Sequence, residues 1–516
     1  MATYLFEGPN EDLVDPNNWT TGVAPGAGDT GQITSAANGI ASKLYVGANA
    51  AWGALELTTV TNTVTIASGG ARITYQPASS PFNTLVVPAG KTLNYYVAYT
   101  LPSGAHTWAI DGTLTVTMNL TGSSSTVLRK TGEGTATITS RSTEFSGALQ
   151  VTAGTLVLSA PLGFSALATA GVAYISGVAG VPGVLRVNTS RLNNPINFSS
   201  SSTRVVSNQG GGASTFYNYV NVAASLNGTG LAPRIDVGAS KSDLSLASLV
   251  TVNANSTLVV GLDNGGLLDN RVSFDGGVNG AGRLELFSSS DSRFYFNQDV
   301  AVGAVAVYSG KLYVALNVTV ANPIYLYQLS ATEDAGCLVV DSNTAVSSLA
   351  VALAEVHTSS TGVLGLAQAS SENVNLSAYP GLQLGPAGNN LTYSGTITPS
   401  GGVYNLRGRE GFTFTVTSAF SGSGTVYVRG KTTNDGVTFA NTTNSFTGAL
   451  RVESGKAVLL SSTAFLSGNI VIGTTDTDAY LQPTAQDGNG YILKAKRITV
   501  GKSGLNGAPT GIICGT

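Results

Sequence analysis

Residues 147–158, which read GALQVTAGTLVL, occur in similar form twice more along the chain. The other copies are GAVAVYSGKLYV at 303–314 and GALRVESGKAVL at 448–459. In each copy apolar residues recur at every second position, which is the period of a half-buried β-strand. A glycine at position 154, 310 or 455 divides the copy in two. The frame therefore predicts a short strand, a small turn closed by glycine, and a second short strand.

A second frame, Gly-x-Gly, precedes each of these strand pairs. It reads GEGTATI at 132–138, GAGRLEL at 280–286 and GSGTVYV at 422–428. A looser frame reads VPAGKTL at 87–93 and VNANSTL at 252–258, where Asn255 takes the place of Gly90. Asparagine is the residue other than glycine that best tolerates a positive φ. Because such units bury their apolar side only against neighbouring units, the repeats predict a stacked solenoid.

The composition favours an all-β chain. Only 10% of the 516 residues are charged, against roughly 25% in an average globular protein. Low charge with 17 prolines argues against disorder, and the scarcity of Lys and Glu argues against long helices. We expect an all-β fold, an elongated parallel β-helix-like solenoid with an N-terminal capping region. The propensities of residues 349–357 also suit a helix, but Leu349, Val351 and Leu353 alternate, so this stretch is interpreted as a strand.

Four segments are predicted along the chain. Residues 1–35 are an N-terminal cap or docking segment, in which Trp19 would close the open end of the first coil. Residues 36–130 form a first β-rich region, 131–470 a solenoid with degenerate repeats, and 471–516 a C-terminal β-rich cap. Because Trp19, Trp52 and Trp108 all lie in the first fifth of the chain, a larger or different core is expected there.

Net charge and cysteine content restrict the partners and the compartment. The net charge is −3 without a basic stripe, so we expect no nucleic-acid partner, and the cluster at 494–497 is interpreted as a solvated strand edge. Cys337 and Cys514 are expected to be buried free thiols.

A run of about 18 apolar residues is missing, so no membrane insertion is expected. The first residues lack the basic and apolar regions of a secretory signal.

The pattern Phe145-x-Gly147-x-Leu149-x-Val151-x-x-Gly154-x-Leu156-x-Leu158 resembles the strand repeat of bacterial autotransporter passengers. The opening of this chain is also similar to the start of passenger-like chains, on the residues Trp19, Gly22, Pro25 and Asp29. The resemblance implies a right-handed parallel β-helix and display on a surface, and it brings no catalytic residues. Phe145 and Phe446 are expected to stack inside the core.

Several residue groups carry side chains of the kinds that perform chemistry, but none predicts a catalytic, metal or cofactor site. His106 and His357 lie in unrelated contexts, so neither a triad nor a histidine metal site is expected. Residues 501–503 echo the end of a phosphate-binding loop but lack its first glycine. Paired carboxylates of a polysaccharide-cleaving enzyme would come from Asp263, Asp269, Asp275 and Glu285, or from Asp476 and Asp478. Calcium would need the oxygen atoms of Asp263, Asn264, Asp269, Asn270 and Asp275, which otherwise form turns.

Tyrosines form three groups whose role the sequence leaves open. They are Tyr95 with Tyr96 and Tyr99, Tyr308 with Tyr313, and Tyr325 with Tyr327. Exposed tyrosines on a surface rich in Ser and Thr bind glycans or partner subunits, whereas alternating tyrosines pack against strands. The packed interpretation is favoured, and binding residues stay unassigned.

The leading functional prediction is a non-enzymatic structural and binding protein of a bacteriophage particle. A tail fibre, spike or head decoration that is assembled in the cytoplasm and leaves by lysis fits a solenoid chain without a secretory signal. Its expected partners are other virion proteins, further copies of itself in a homotrimer, and a host surface glycan. One alternative is a bacterial cell-surface adhesin or passenger fragment. Another is a β-helix enzyme that degrades polysaccharides.

Overall fold

The computed structural model describes most of the chain. Its described residues are 2–7, 10–34, 43–58, 63–76, 82–139, 144–159, 173–176, 181–188, 191–192, 195–199, 203–207, 213–216, 220–222, 232–237, 243–262, 271–288, 292–329, 335–432, 434–441, 445–460, 468–473, 479–483, 497–500 and 511–513. Strands account for 56% of the structure and helix for 3%. The predicted all-β class and the parallel β-solenoid are therefore confirmed.

The chain divides into two compact units. The first comprises Met1–Asp263 with Phe274–Gly282, and the second comprises Asn264–Ser273 with Arg283–Thr516. The four predicted segments, including the N-terminal cap, stay a prediction.

The first unit contains 28 whole strands and one 3₁₀ turn among its described residues. The turn is η1 (Pro16–Asn18), and the strands are β1 (Thr3–Phe6), β2 (Thr30–Ile33), β3 (Lys43–Val46), β4 (Ala50–Trp52), β5 (Ala54–Leu57), β6 (Thr63–Tyr75), β7 (Phe82–Val87), β8 (Thr92–Leu101), β9 (Gly104–Ile110), β10 (Thr113–Val116), β11 (Leu120–Gly122), β12 (Thr126–Thr131), β13 (Thr135–Ile138), β14 (Glu144–Phe145), β15 (Ala148–Val151), β16 (Gly154–Leu158), β17 (Ala173–Ile175), β18 (Gly183–Val187), β19 (Arg191–Leu192), β20 (Ile196–Phe198), β21 (Thr203–Ser207), β22 (Ala213–Phe216), β23 (Val220–Val222), β24 (Arg234–Val237), β25 (Asp243–Leu246), β26 (Val250–Val252), β27 (Thr257–Leu262) and β29 (Val278–Asn279). One sheet has the order β1-β2-β5-β7-β9-β12-β15-β17-β20-β23-β26-β29. A second contains β8-β10-β13-β16-β18-β21-β24-β27, and a third contains β19-β22-β25.

Among its described residues the second unit contains the remaining strands and one helix. They are β28 (Arg271–Phe274), whose last residue falls in the first unit, β30 (Arg283–Ser288), β31 (Arg293–Phe296), β32 (Val300–Ala301), β33 (Ala304–Val307), β34 (Lys311–Val314), β35 (Ile324–Leu326), β36 (Cys337–Val340), α1 (Leu349–Glu355), β37 (Val363–Leu366), β38 (Val374–Asn375), β39 (Gln383–Pro386), β40 (Leu391–Tyr393), β41 (Ile397–Thr398), β42 (Val403–Arg407), β43 (Thr413–Val416), β44 (Thr425–Arg429), β45 (Gly436–Phe439), β46 (Ala449–Val452), β47 (Gly455–Leu459), β48 (Asn469–Ile472), β49 (Ala479–Pro483), β50 (Arg497–Val500) and β51 (Gly511–Ile513). The strands β28-β31-β34-β36-β37-β39-β42-β44-β46-β48-β50 form what we call the long sheet. The strands β30-β33-β35 are adjacent in a second sheet, and β40-β43-β45-β47-β49-β51 form a third.

The three copies of the strand–glycine–strand frame fold as predicted. Residues 148–151, 304–307 and 449–452 are strands, and each is followed by a second strand. The dividing residues Gly154, Gly310 and Gly455 have positive φ angles of 63°, 84° and 74°. Gly90 and Asn255 also share a positive φ, of 73° and 62°. Asparagine thus replaces glycine at a left-handed turn position, as the sequence predicts.

The core consists of columns of apolar side chains from successive coils. In the first unit one inward column of buried residues follows strand register, and its members are Leu93, Leu114, Ala136, Leu156, Leu185, Val205, Ile235 and Val260. Phe145 and Phe446 are buried, as expected. Each fully buried aliphatic side chain contributes about 1.5–3 kcal/mol. These columns stabilise the solenoid without needing surface charge.

One inward position of the first unit holds a charged side chain. Lys130 on β12 has no exposed area, and its neighbours in register are Trp108 and Val151. Its Nζ donates hydrogen bonds to the carbonyl oxygens of Ile110 at 3.3 Å, Gly132 at 2.6 Å and Ala153 at 3.0 Å. Burial lowers the pKa of Lys130 to about 8, against an opposing effect of the Asp111 carboxylate. The lysine thus links three successive coils.

The strand predicted at 349–357 is wrong. Residues Leu349–Glu355 form α1, and the Ser348 Oγ accepts a hydrogen bond from the backbone N–H of Val351. Such a cap satisfies a helix N–H that has no partner within the helix. Leu349 and Ala352 are buried, whereas Val351 is exposed. The buried positions Leu349 and Ala352 are three residues apart, which is the spacing of one helix face. Together with the Ser348 cap, this spacing outweighs the alternation of apolar residues that suggested a strand.

The three tryptophans are buried in the first unit, where a larger core was expected. Trp19 packs edge-to-face against Phe6 at 5.4 Å and against Trp52 at 6.0 Å between ring centroids. Its Nε1 donates to the Leu13 carbonyl oxygen at 3.0 Å. Strand β1 lies beside β2 at one edge of the first sheet, so Trp19 belongs to the first coil of that unit.

Candidate functional site

The tyrosine group on β8 is mainly part of the core. Tyr95 and Tyr99 are fully buried, whereas Tyr96 is exposed. The Tyr95 hydroxyl lies 3.1 Å from the Tyr75 hydroxyl, and burial raises the pKa of Tyr95 and Tyr99 well above the usual value. The packed interpretation is correct for two of the three tyrosines.

A column of aromatic rings lies on the outward side of β30, β33 and β35 in the second unit. Phe287, Tyr308 and Tyr327 stack on one another with centroid separations of 4.4 Å and 4.8 Å. Tyr325 continues the contact to Tyr327 at 6.2 Å and stacks on His357 at 4.2 Å. Because these rings cover one another's faces, they present mainly edges to a ligand. The column therefore stabilises neighbouring coils, and His357 is part of it.

Glu285, a candidate for carboxylate chemistry, is held by a cation beside this column. Arg283 Nε lies 2.8 Å from Glu285 Oε1, and Arg283 Nη2 donates to the Tyr308 hydroxyl at 3.0 Å. The Tyr308 hydroxyl donates in turn to Glu285 Oε1 at 3.3 Å. Burial, followed by the neighbouring Glu285 carboxylate, raises the pKa of Tyr308. This arrangement gives Glu285 a structural partner.

Tyr308 and Tyr313 do not form one group, because they lie on different sheets. Tyr313 is on β34 of the long sheet and stacks on Tyr295 at 4.9 Å, with the Arg271 guanidinium 4.5 Å from the Tyr295 ring centroid. Tyr313 also packs against a small apolar cluster on the outward side of this sheet. The cluster consists of Ala335, Cys337, Val339, Val363 and Ala387. Cys337 is a buried free thiol, as predicted.

A buried ionic network lies in the same part of the second unit. The Lys311 ammonium is 2.5 Å from the Glu410 carboxylate, and Arg409 Nε is 3.1 Å from it. The three side chains are 4%, 1% and 11% exposed for Lys311, Arg409 and Glu410. Arg409 also donates to the Ala335 carbonyl oxygen at 3.2 Å, and Glu410 has a positive φ of 59°. The network thereby ties a tight turn to strands that lie far from it in sequence.

An open groove lies on the outward side of the long sheet, near β39, β42 and β44. Its volume is about 390 Å³, which falls within the range of ligand sites. It is lined by Gln328, Thr361, Pro380, Gly381, Gln383, Val403, Asn405, Tyr427 and Arg429. All of these residues belong to the second unit.

Hydrogen bonds between successive coils fix the polar side chains of the groove. Gln383 Nε2 donates to Gln328 Oε1 at 2.6 Å and to the Thr361 carbonyl oxygen at 2.7 Å. Asn405 Nδ2 donates to the Pro380 carbonyl oxygen at 3.0 Å, and Asn405 Oδ1 accepts from Arg429 Nη1 at 2.9 Å. Each side chain therefore has a set orientation before any ligand binds.

The other predicted candidates remain separate or lie outside the described residues. His106 is buried, with Nε2 2.9 Å from the Pro102 carbonyl oxygen, and burial lowers its pKa. Asp275 is in the first unit and accepts a hydrogen bond from the Ser245 hydroxyl. The candidates and motif residues outside the described set are Asp263, Asn264, Asp269, Asn270, Asp476, Asp478, Cys514, 494–496 and 501–503.

Two kinds of feature are absent from the described residues. No group of three or more His, Cys, Asp or Glu among them is arranged to hold a metal ion. No described helix is long and apolar enough to cross a membrane.

Sequence reasoning missed the groove because its residues are spread along the chain. Gln383 and its partner Thr361 are 22 residues apart, and Asn405 and Arg429 are 24 residues apart. These separations correspond to one coil of the solenoid. The signal in the sequence was the recurrence of polar residues at a spacing of one coil.

No known protein family, curated protein or solved structure matches this chain. The class of the protein is therefore defined by its own architecture, which is a parallel β-solenoid.

Proposed function

We propose that this chain is a non-enzymatic structural and binding protein displayed on a bacteriophage particle. In this role it is a tail fibre, spike or head decoration that contacts the host surface. The observation that carries the proposal is the open groove of the second unit, whose polar side chains are fixed by bonds between coils. A preorganised groove on a continuous parallel sheet is suited to binding, because little side-chain ordering is needed when a ligand arrives.

The contacts of Glu285 support binding over catalysis at this residue. Glycoside cleavage needs two carboxyl groups placed on either side of one bond. Glu285 is instead engaged by Arg283 and Tyr308. This engagement favours the display role over the polysaccharide-degrading alternative.

The location is tested on purified phage particles from a host that carries the gene. We expect mass spectrometry to find the chain in particles banded by density, and immunogold labelling to place it on a tail or head. Detection on the envelope of uninfected bacteria, with none on particles, would overturn the phage assignment in favour of the adhesin alternative.

Self-association is part of the proposal, with a homotrimer as the expected assembly. The monomer mass is 52.3 kDa, so sedimentation equilibrium at micromolar concentration is expected to give about three times that mass. A single species of monomer mass across the whole concentration range contradicts the trimer.

A further inference from the structure

We propose that the groove lined by Gln383, Asn405 and Tyr427 binds a neutral saccharide. The proposal rests on the display function and names the ligand class of the same site. It follows from three properties of the groove, which are an acceptor without a partner, an aromatic ring beside amide groups, and a charge that the protein itself compensates.

The first property is a spare hydrogen-bond acceptor on Gln383, a residue that lines the groove. Gln383 is 1% exposed, and its Nε2 already has two protein acceptors. Its Oε1 is buried without a hydrogen-bond donor from the described residues. A buried carbonyl oxygen that lacks a donor is unfavourable, because it has lost its hydrogen bonds to water. A ligand hydroxyl group that reaches this oxygen from the groove supplies the missing donor.

The second property is the Tyr427 ring, which lines the groove next to the amides. Tyr427 lies on β44, in register with Asn405 on β42 and Arg451 on β46. The Arg429 and Arg451 guanidinium carbons are 4.9 Å and 5.6 Å from its ring centroid. These contacts hold the ring in place. Because two guanidinium groups lie over the ring, Tyr427 offers the groove its edge and its hydroxyl group. A hydroxyl group beside hydrogen-bonding amides matches the hydroxyl groups of a sugar.

The third property is the compensation of charge within the site. Arg429 Nε is 2.7 Å from Glu453 Oε2, and its Nη1 is bonded to Asn405. The guanidinium thus has a carboxylate partner of its own. The other polar groups that line the groove are the neutral side chains of Gln328, Thr361, Gln383, Asn405 and Tyr427. This set favours a neutral ligand over an acidic one.

Titration calorimetry on the purified full chain tests the proposal. The probes are maltose, cellobiose, lactose and N,N′-diacetylchitobiose, each at 50 mM and at 500 mM NaCl. We expect at least one of them to bind, with a dissociation constant that changes less than twofold between the two salt concentrations, since neutral ligands are not screened. Absence of binding for all four probes at millimolar concentration, or a steep loss with salt, overturns the neutral-saccharide assignment.

Two matched variants place the binding at the groove. Tyr427→Leu is expected to weaken binding at least tenfold, and Asn405→Ala to weaken it several-fold. The control is Tyr308→Leu, which removes a tyrosine from the stacked column on another sheet and is expected to leave the affinity unchanged. If Tyr427→Leu and Tyr308→Leu have equal effects, the groove is not the site.

The calorimetry does not depend on where the protein is displayed. If the chain binds a saccharide but is absent from phage particles, the groove assignment is supported and the phage location is overturned. A chain found on particles that binds none of the four probes overturns the groove assignment and supports the location.

Discussion

Replacing Glu410 by glutamine is expected to lower the free energy of unfolding by about 3 kcal/mol. Glu410 lies within hydrogen-bonding distance of both Lys311 and Arg409, and these two cations are almost fully buried. Removal of the carboxylate charge leaves two positive charges in a poorly hydrated site without their anion. The change is measured by chemical denaturation of the wild type and the variant at neutral pH.

The control for this prediction is Glu285→Gln. Glu285 also pairs with an arginine, but Arg283 is 34% exposed and water solvates it. Partly exposed ion pairs contribute about 1 kcal/mol or less, so we expect a small effect. If Glu410→Gln and Glu285→Gln lose equal stability, burial of the Glu410 network does not strengthen its contribution to the free energy of unfolding.

The second large effect is a pH dependence of stability that comes from Lys130. The pKa of this lysine is about 8 in the folded chain, below the ordinary value of 10.5. Below pH 8 the folded and unfolded states both bind the proton. Between pH 8 and 10.5 the unfolded chain retains a proton that the folded chain has released, so a rise in pH favours folding by about 1.4 kcal/mol per pH unit. From pH 8 to pH 9.5, stability is expected to rise by about 2 kcal/mol relative to Lys130→Met.

The comparison with Lys130→Met isolates this contribution from other titrating groups. Unfolding free energies of the two chains are measured at several pH values between 7 and 9.5, and the contributions of tyrosines and other titrating groups cancel in the difference. Arg129→Met is the matched control, because Arg129 is the half-buried neighbour that donates to Gln150 at 2.9 Å. Arginine side chains keep their charge in this range, so that variant should follow the wild-type profile. If the Lys130→Met profile also runs parallel to the wild-type profile, the buried lysine releases no proton on folding.

The local structure was predictable from the sequence wherever one rule about neighbouring residues applied and no second rule opposed it. In residues 148–151 and 154–158 a large apolar residue recurs at every second position, and this period places one face of each strand inside whatever the neighbours are. Gly154 and Asn255 mark left-handed turns because few other residues tolerate a positive φ. At α1 two local rules conflicted, because alternating apolar residues indicate a strand whereas a serine cap indicates a helix. The helix forms, with Ser348 as its cap and with Leu349 and Ala352 buried.

What the sequence by itself determined is the repeating strand and turn, and with it the β-solenoid class. Only the tertiary structure showed which side chains meet one coil later. Lys130 occupies an inward position that alternation assigns to an apolar residue, and three carbonyls from separate coils accept its hydrogen bonds. The groove depends in the same way on Gln383, Asn405 and Tyr427, which are adjacent only because the strands stack in register. Strand periodicity is a local property of the backbone and can be read from a few residues. A binding site on a solenoid depends on the number of residues in each coil. That number differs from coil to coil, because the loops between the strands vary in length.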